Sequence, residues 1–229
     1  MANTFAQIDS AEAFAARFAV SRETVSRLLT YEAMLKRWQK TINLVAPSTL
    51  SHVWHRHFAD SAQLYALAET LSPKVGGELA AWLDIGSGAG FPGLVIAILA
   101  AEHGGTGHTL VESDTRKAAF LREVARETGV VVDIVAARIE ILANSAKVGE
   151  INFLTARALA PLPRLVELAY PYFGPQTAGL FLKGREVAAE IEEASRDWRF
   201  AFELKPSVTD EEGRVLVLQS LERINASPK

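Results

Sequence analysis

The chain has 229 residues, 49% of them hydrophobic, a net charge of −3 and no cysteine. That apolar content suits one sizeable core with an appendage. The missing cysteines exclude disulfides, thiolate metal sites and cysteine nucleophiles, and fit a reducing cytoplasm. The slight negative charge excludes a protein coated in basic residues for wholesale nucleic-acid binding. The longest apolar run, residues 94–101, is too short to span a bilayer. The first residues lack the basic start and apolar stretch of a secretory signal. Five histidines, two of them flanking a turn (His103 and His108), give no zinc pattern, so no metal is expected.

Residues up to about 71 read as helices. Ser21 is placed as an N-cap with a Val20/Val25 staple. Leu28, Tyr31, Leu35, Trp38 and Ile42 then recur at three-to-four spacing, one apolar face of a long helix. The Ala46-Pro47-Ser48 step ends it, and a second helical stretch runs over 49–69. Residues 71–78, with Ser, Pro and a Gly-Gly pair, read as a connector. The expected division is therefore an N-terminal helical extension, 1–71, and a main domain, 72–229. Between Lys36 and Ala59 there are four Lys/Arg and three His without an acidic residue, which leaves room for a local anionic partner. Between Glu186 and Glu212 nine acidic residues face three basic ones, read as solvated faces.

From residue 79 short apolar runs alternate with amphipathic stretches. Strands are expected over 80–85, 108–112, 130–135, 151–155, 178–182, 200–205 and 213–221, and helices over 92–102, 115–128 and 161–172. The second of these has capping residues in Ser113-Asp114 and a stop in Gly129. Strand and helix in alternation imply parallel crossovers, hence an α/β, Rossmann-like, mostly parallel twisted sheet with helices on both faces.

Residues 84–93 (DIGSGAGFPG) follow the first of these strands and hold four glycines in eight positions. Glycines there allow a sharp turn and close approach of backbone to a ligand. The formal GxGxxG match is weak alone. Asp84, just before the loop, suits a cationic amino-acid moiety and would repel a pyrophosphate. Glu112 closes the second strand, where an acidic side chain grips ribose hydroxyls. The pair points to S-adenosylmethionine; the plainer alternative has Glu112 capping the next helix and Asp84 facing solvent.

The loop resembles motif I of class I methyltransferases. With its Phe91-Pro92-Gly93 ending it resembles the bacterial 16S ribosomal RNA guanine-N7 methyltransferases, the glucose-inhibited division protein B family. Residues 38–45 (WQKTINLV) resemble that family's W-x-K-x-x-N-L-T segment, and 56–61 (RHFADS) its R-H-x-x-D-S signature. Residues 137–140 (ARIE), 155–160 (TARALA) and 182–184 (LKG) resemble S/A-R-x-E, S-R-A-x-A and L-K-G. The six matches keep the family's order; Val45, where Thr is usual, and Ala156 are departures outside the cofactor loop.

The resemblance implies transfer of a methyl group from S-adenosylmethionine to N7 of one guanine in 16S ribosomal RNA, leaving S-adenosylhomocysteine, with no metal. It implies cofactor contacts at Asp84, Gly86, Gly88, Phe91, Glu112, Ile139, Glu140 and Arg157. Arg138, Arg157 and Lys183 are the catalytic candidates. Arg37, Lys40, Arg56 and His57 are candidates for holding RNA, with Asp60 organising that side. The expected setting is cytoplasmic, with no membrane, a monomer acting on RNA in a small-subunit particle. The residues alone also leave room for a small-molecule methyltransferase, a nicotinamide-dependent oxidoreductase or a non-catalytic nucleotide-binding protein.

Overall fold

The computed structural model describes residues 7–71, 80–105, 107–142 and 149–224. All of the expected connector except Leu71 lies outside the described residues. Helices α1 (Ala11–Phe18) and α2 (Arg22–Trp38) begin at Ser10 and Ser21, whose hydroxyls accept from the N–H of Ala13 and Thr24. Thus each serine satisfies a donor that the first helical turn leaves unpaired. Leu28, Tyr31 and Leu35 are fully buried, as their spacing requires. The helix ends at Trp38, before Ile42, because Gln39 folds back: its side chain accepts from the N–H of Leu44 and Val45 and donates to the carbonyl of Val45. Residues Pro47–His52 form a 3-10 turn, Trp54–Ala59 a π-turn, and α3 spans Asp60–Leu71.

Strands β1 (Trp82–Ile85), β2 (His108–Val111), β3 (Asp133–Val135), β4 (Phe153–Arg157) and β5 (Ala178–Lys183) are parallel. They join β7 (Phe202–Pro206) and β8 (Arg214–Leu218) in one seven-stranded sheet of order β3-β2-β1-β4-β5-β8-β7. Strand β8 runs antiparallel to both of its neighbours. Two short strands, β6 (Trp198–Arg199) and β9 (Glu222–Arg223), pair separately. The helices of this half are α4 (Gly93–Ala100), α5 (Thr115–Thr128), α6 (Ile139–Leu142), α7 (Leu162–Ala169) and α8 (Val187–Ala194). As the sequence indicated, Asp114 caps α5, accepting from the N–H of Arg116, and Gly129 ends it at φ +67°.

Period-two alternation divides the core. Trp82, Leu110, Phe153, Leu180 and Val217 face one side, packed with α1–α5. Leu83, Val111, Leu154, Phe181 and Leu216 face the other, packed with α6–α8. The N-terminal helices therefore share a core with the sheet: α2 lies against α4 and α5, and α3 against α4. Glu102 fastens this contact, accepting from the backbone N–H of Ser21 and the hydroxyl of Thr24. The strand order reverses at β1, which sits between β2 and β4, and the crevice this opens at the strands' carboxyl ends is where open α/β sheets bind ligands.

Candidate functional site

The glycine loop is held chiefly by its own backbone. Gly86 and Ser87 donate to the carbonyl of Val111 at 2.9 and 3.0 Å, and Gly90 donates to that of Ser87 at 2.7 Å. Gly86, Gly88 and Gly90 all have positive φ (+70°, +57° and +95°), which L side chains adopt only with strain. A Cβ on Gly88 would meet only the Gly86 carbonyl oxygen, at 3.8 Å, so the space above that residue is open. Glu112 reaches this point from the end of β2. One carboxylate oxygen accepts from the Gly88 N–H and the other from the Asp114 N–H, both at 2.7 Å.

Asp84 does not face solvent; it is 2% exposed. It shares a face and a paired register with Thr155 on β4, whose hydroxyl donates to it at 2.8 Å, while the Gly93 N–H donates from the start of α4. Burial raises its carboxyl to about 6, against the pull of these donors. Asp84 thus ties the loop's far end to the central strand. Phe91 lies beneath the loop, 3% exposed, stacked between Tyr31 (5.3 Å, 11°) and His57 (4.8 Å, 19°). The Tyr31 hydroxyl donates to the Ala89 carbonyl.

Beside the loop opens a cleft of about 780 Å³, between the ends of β4 and β5, the turn at Leu44–Thr49, the π-turn and the β7–β8 connection. Arg157, at the tip of β4, is its central cation. The guanidinium donates to the Arg56 carbonyl (3.0 Å) and the Asp60 carboxylate (3.4 Å), and lies 5.0 Å from the centre of the Phe91 ring. Asp60 also accepts from Thr209 (2.8 Å) and Gln63 (2.9 Å), and Gln63 in turn bonds Ser207 and Val208. One carboxylate therefore joins α3, β4 and the β7–β8 connection. Lys183, at the end of β5, pairs with Glu190 of α8 and donates to the Ala160 carbonyl. Beyond Arg157 the backbone passes through Ala158 at φ +53°, and Leu159 presses over Gly86.

Of the sequence-derived candidates, Asp84, Gly86, Gly88, Phe91, Glu112 and Arg157 come together around the loop, and Arg56, His57 and Lys183 line the cleft with Arg157. His57 is 6% exposed, bonded to Thr49 at 2.8 Å, and its pKa is lowered to about 3 by burial and by Arg157 and Arg56. Ile139 is buried in the second core, its carbonyl accepting from Tyr172 at 2.9 Å. Glu140 pairs with Arg138 (3.5 Å) and Arg164 (2.8 Å) at the surface, outside the cleft. Arg37 and Lys40 lie on and just past the last turn of α2, and they too are outside the cleft wall. Tyr31, Gln63, Thr155, Glu190 and Thr209 carry no motif of their own. Two had a signal: Tyr31 falls on the apolar face of the α2 spacing, and Thr155 shares a strand face with Phe153.

This strand order, with a glycine-rich turn after β1 and an acidic residue at the end of β2, defines the class I methyltransferases, the S-adenosylmethionine-dependent class. An O-methyltransferase from Bacillus cereus in complex with SAH has the same fold (TM-score 0.59, 13% identity, covering 95% of this chain and 99% of that one). Residues 24–216 match the family model described as rRNA small subunit methyltransferase G, and the chain belongs to that family. It is 48% identical to the ribosomal RNA small subunit methyltransferase G of Parvibaculum lavamentivorans, over 97% of this chain and 94% of that protein. With the Rhodospirillum centenum protein of the same name it shares 48% identity, over 91% and 89% of the two chains.

Proposed function

We propose that this chain transfers a methyl group from S-adenosylmethionine to N7 of a guanine in 16S ribosomal RNA, acting as a cytoplasmic monomer on RNA in a small-subunit particle. The observation that carries the reading is the junction of the open glycine loop with the cationic cleft at the sheet's switch point, in a chain of this family. The loop fits the cofactor: three positive-φ glycines, open space above Gly88, and Glu112 at the end of β2, placed for ribose hydroxyls. Residues 1–71 are assigned as a helical extension that braces the loop and carries RNA-facing cations, and 72–229 as the cofactor-binding domain.

When bound, the cofactor supplies an electrophilic methyl group together with its own leaving group. Guanine N7 offers a lone pair and carries no proton, so its attack requires no general base. Transfer to N7 would leave positive charge on the purine, the donor supplying both the methyl group and the leaving group. The chain's residues therefore act by alignment. Gly86, Gly88 and Glu112 would hold the donor side, with Asp84 and Phe91 fixing the loop's shape, and the Ile139–Glu140 backbone would serve the adenine end. Arg157 and Lys183, each leashed to a carboxylate, hold phosphate or base oxygen at the cleft without crowding the cationic product. Arg138, exposed at the head of α6, is assigned to RNA contact, together with Arg37, Lys40 and Arg56. His57, neutral and buried, shapes the wall behind them.

Methyl-tritiated cofactor offered to naked 16S RNA, to assembled small subunits and to a metabolite mixture tests this. Label recovered as 7-methylguanosine from RNA, most strongly from particles, is the expected outcome. Label confined to metabolites, or recovered at another guanine atom, would overturn it.

A further inference from the structure

Four long cationic side chains line the cleft: Arg56, Arg157, Lys183 and Arg214. Three are each held by a carboxylate: Arg56 by Asp210 at 3.0 Å, Arg157 by Asp60 at 3.4 Å, and Lys183 by Glu190. Arg214 has no carboxylate partner among the described residues. Its Nη1 donates to two backbone carbonyls, Glu211 at 2.8 Å and Gly213 at 2.7 Å. Carbonyls orient a guanidinium without neutralising it, and they leave Nη2 and Nε without a hydrogen bond among the described residues.

Topology places this charge at the functional rim. Strand β8 is antiparallel, so its first residue sits at the level where the parallel strands end; Arg214 is paired in register with Lys183, the last residue of β5. The residue is half-buried and lines the cleft. Its fork is held by the connection that Asp60 and Gln63 fasten to α3. An oriented, uncompensated, planar five-donor cation at the mouth of a nucleotide-sized cleft suits a doubly bonded oxyanion.

We infer that Arg214 is an RNA-binding residue of this cleft, gripping a backbone phosphate of the nucleotide presented for methylation. The inference rests on the functional reading above. A phosphate is the partner rather than the base, because transfer leaves a positive purine that a bare guanidinium would repel. Arg56, Arg157 and Lys183 meet the RNA with part of their charge answered by carboxylates, and Arg214 adds a charge that none offsets among the described residues.

The test compares wild type, Arg214→Ala and Arg214→Lys. Fluorescence titration and methyl-tritium transfer would use one 16S RNA fragment, at several salt concentrations, with calorimetry against S-adenosylhomocysteine alongside. Losing one charge-assisted phosphate contact should weaken RNA binding by roughly tenfold in Arg214→Ala. The slope of log affinity on log salt should fall by about 1. Arg214→Lys should keep that slope and recover part of the affinity, and all three proteins should bind S-adenosylhomocysteine alike. RNA affinity and slope unchanged in Arg214→Ala would overturn the inference while leaving the functional reading standing. An equal loss of S-adenosylhomocysteine affinity in both variants would also overturn it, by marking the residue as structural. A wild type that neither binds nor methylates the RNA would remove the functional reading and this inference with it.

Discussion

The two halves of the site are built from different materials. The glycine loop is mostly main chain: backbone hydrogen bonds set its path, and its few side chains point down into packed aromatic rings or back onto backbone N–H groups. The cleft beside it is mostly side chain, with three of its four long cations each tied to a carboxylate on another element. A ligand of fixed structure is met by a surface that cannot move, since any Cβ added to Gly86 or Gly93 would lie 2.5 Å from a neighbour. A partner that arrives as a folded polyanion is met by charges whose mutual positions depend on tertiary contacts.

The sharpest way to break this contrast is to add one carbon under the loop. Gly90→Ala places a Cβ against the Tyr31 hydroxyl and 2.9 Å from Leu94, at φ +95°. It should cost roughly 2–4 kcal/mol in urea unfolding, by overpacking plus backbone strain. Tyr31→Phe in the same chain should restore part of that, because the hydroxyl is the nearest obstacle. A variant as stable as wild type would show that the loop is not held as rigidly as the contrast requires.

Arg157→Ala probes the cleft side. It removes a guanidinium bonded to Asp60 and the Arg56 carbonyl, at a cost of roughly 1–3 kcal/mol. RNA methylation should slow by roughly 10- to 100-fold through lost alignment. S-adenosylhomocysteine affinity should change little; full turnover with normal RNA affinity would remove Arg157 from the mechanism. Reversing Arg37 and Lys40 to Glu should weaken RNA binding about tenfold and lower the salt slope by about 2, with cofactor affinity intact. A slope equal to wild type would place the RNA elsewhere.

The smallest effect is one of pH. His57 is held at about 3 in the fold against an ordinary 6.5, so it contributes stability above pH 6.5 that is lost as pH falls towards 3. Asp84, raised from 3.8 to about 6, acts in the opposite sense: its contribution is greatest below pH 3.8 and is lost as pH rises through 6. His57→Phe keeps an aromatic ring over Phe91 but removes one of the opposed trends. Urea midpoints measured between pH 7 and 4.5 should then fall less on acidification than those of wild type. Parallel falls in the two proteins would contradict the assignment.

The same division explains what was legible in the sequence. Glycine spacing, strand alternation and capping residues are local, and they located the loop, five parallel strands and α5 within a few residues. Long-range partners leave no spacing to read. Nothing near Arg157 in sequence indicates that Asp60, 97 residues earlier, would take its guanidinium. Cofactor contact is expected of Asp84 for its charge and of Phe91 through the family resemblance; neither reason indicates that Phe91 packs between Tyr31 and His57, or that Asp84 accepts from Thr155 and Gly93. Arg214 carries no local signal of its place, because an antiparallel strand brings its amino end to the rim where the parallel strands end.

The burial of Asp84 against Thr155 also sets an order on the chain's synthesis. The two partners stand 71 residues apart, so the Asp84 carboxyl must wait with the nearby Gly93 N–H as a donor, and without the Thr155 hydroxyl, until β4 has left the ribosome. During that interval α1 to α5 are already complete, and Trp82, Leu110 and the Phe91 stack can close on them as a first unit. The second face, from α6 onward, then condenses onto an existing sheet edge. Truncated products ending before residue 153 should therefore expose the β4-side edge of β1 and be cleared as unfinished, whereas those ending within β8 would already contain the paired Asp84.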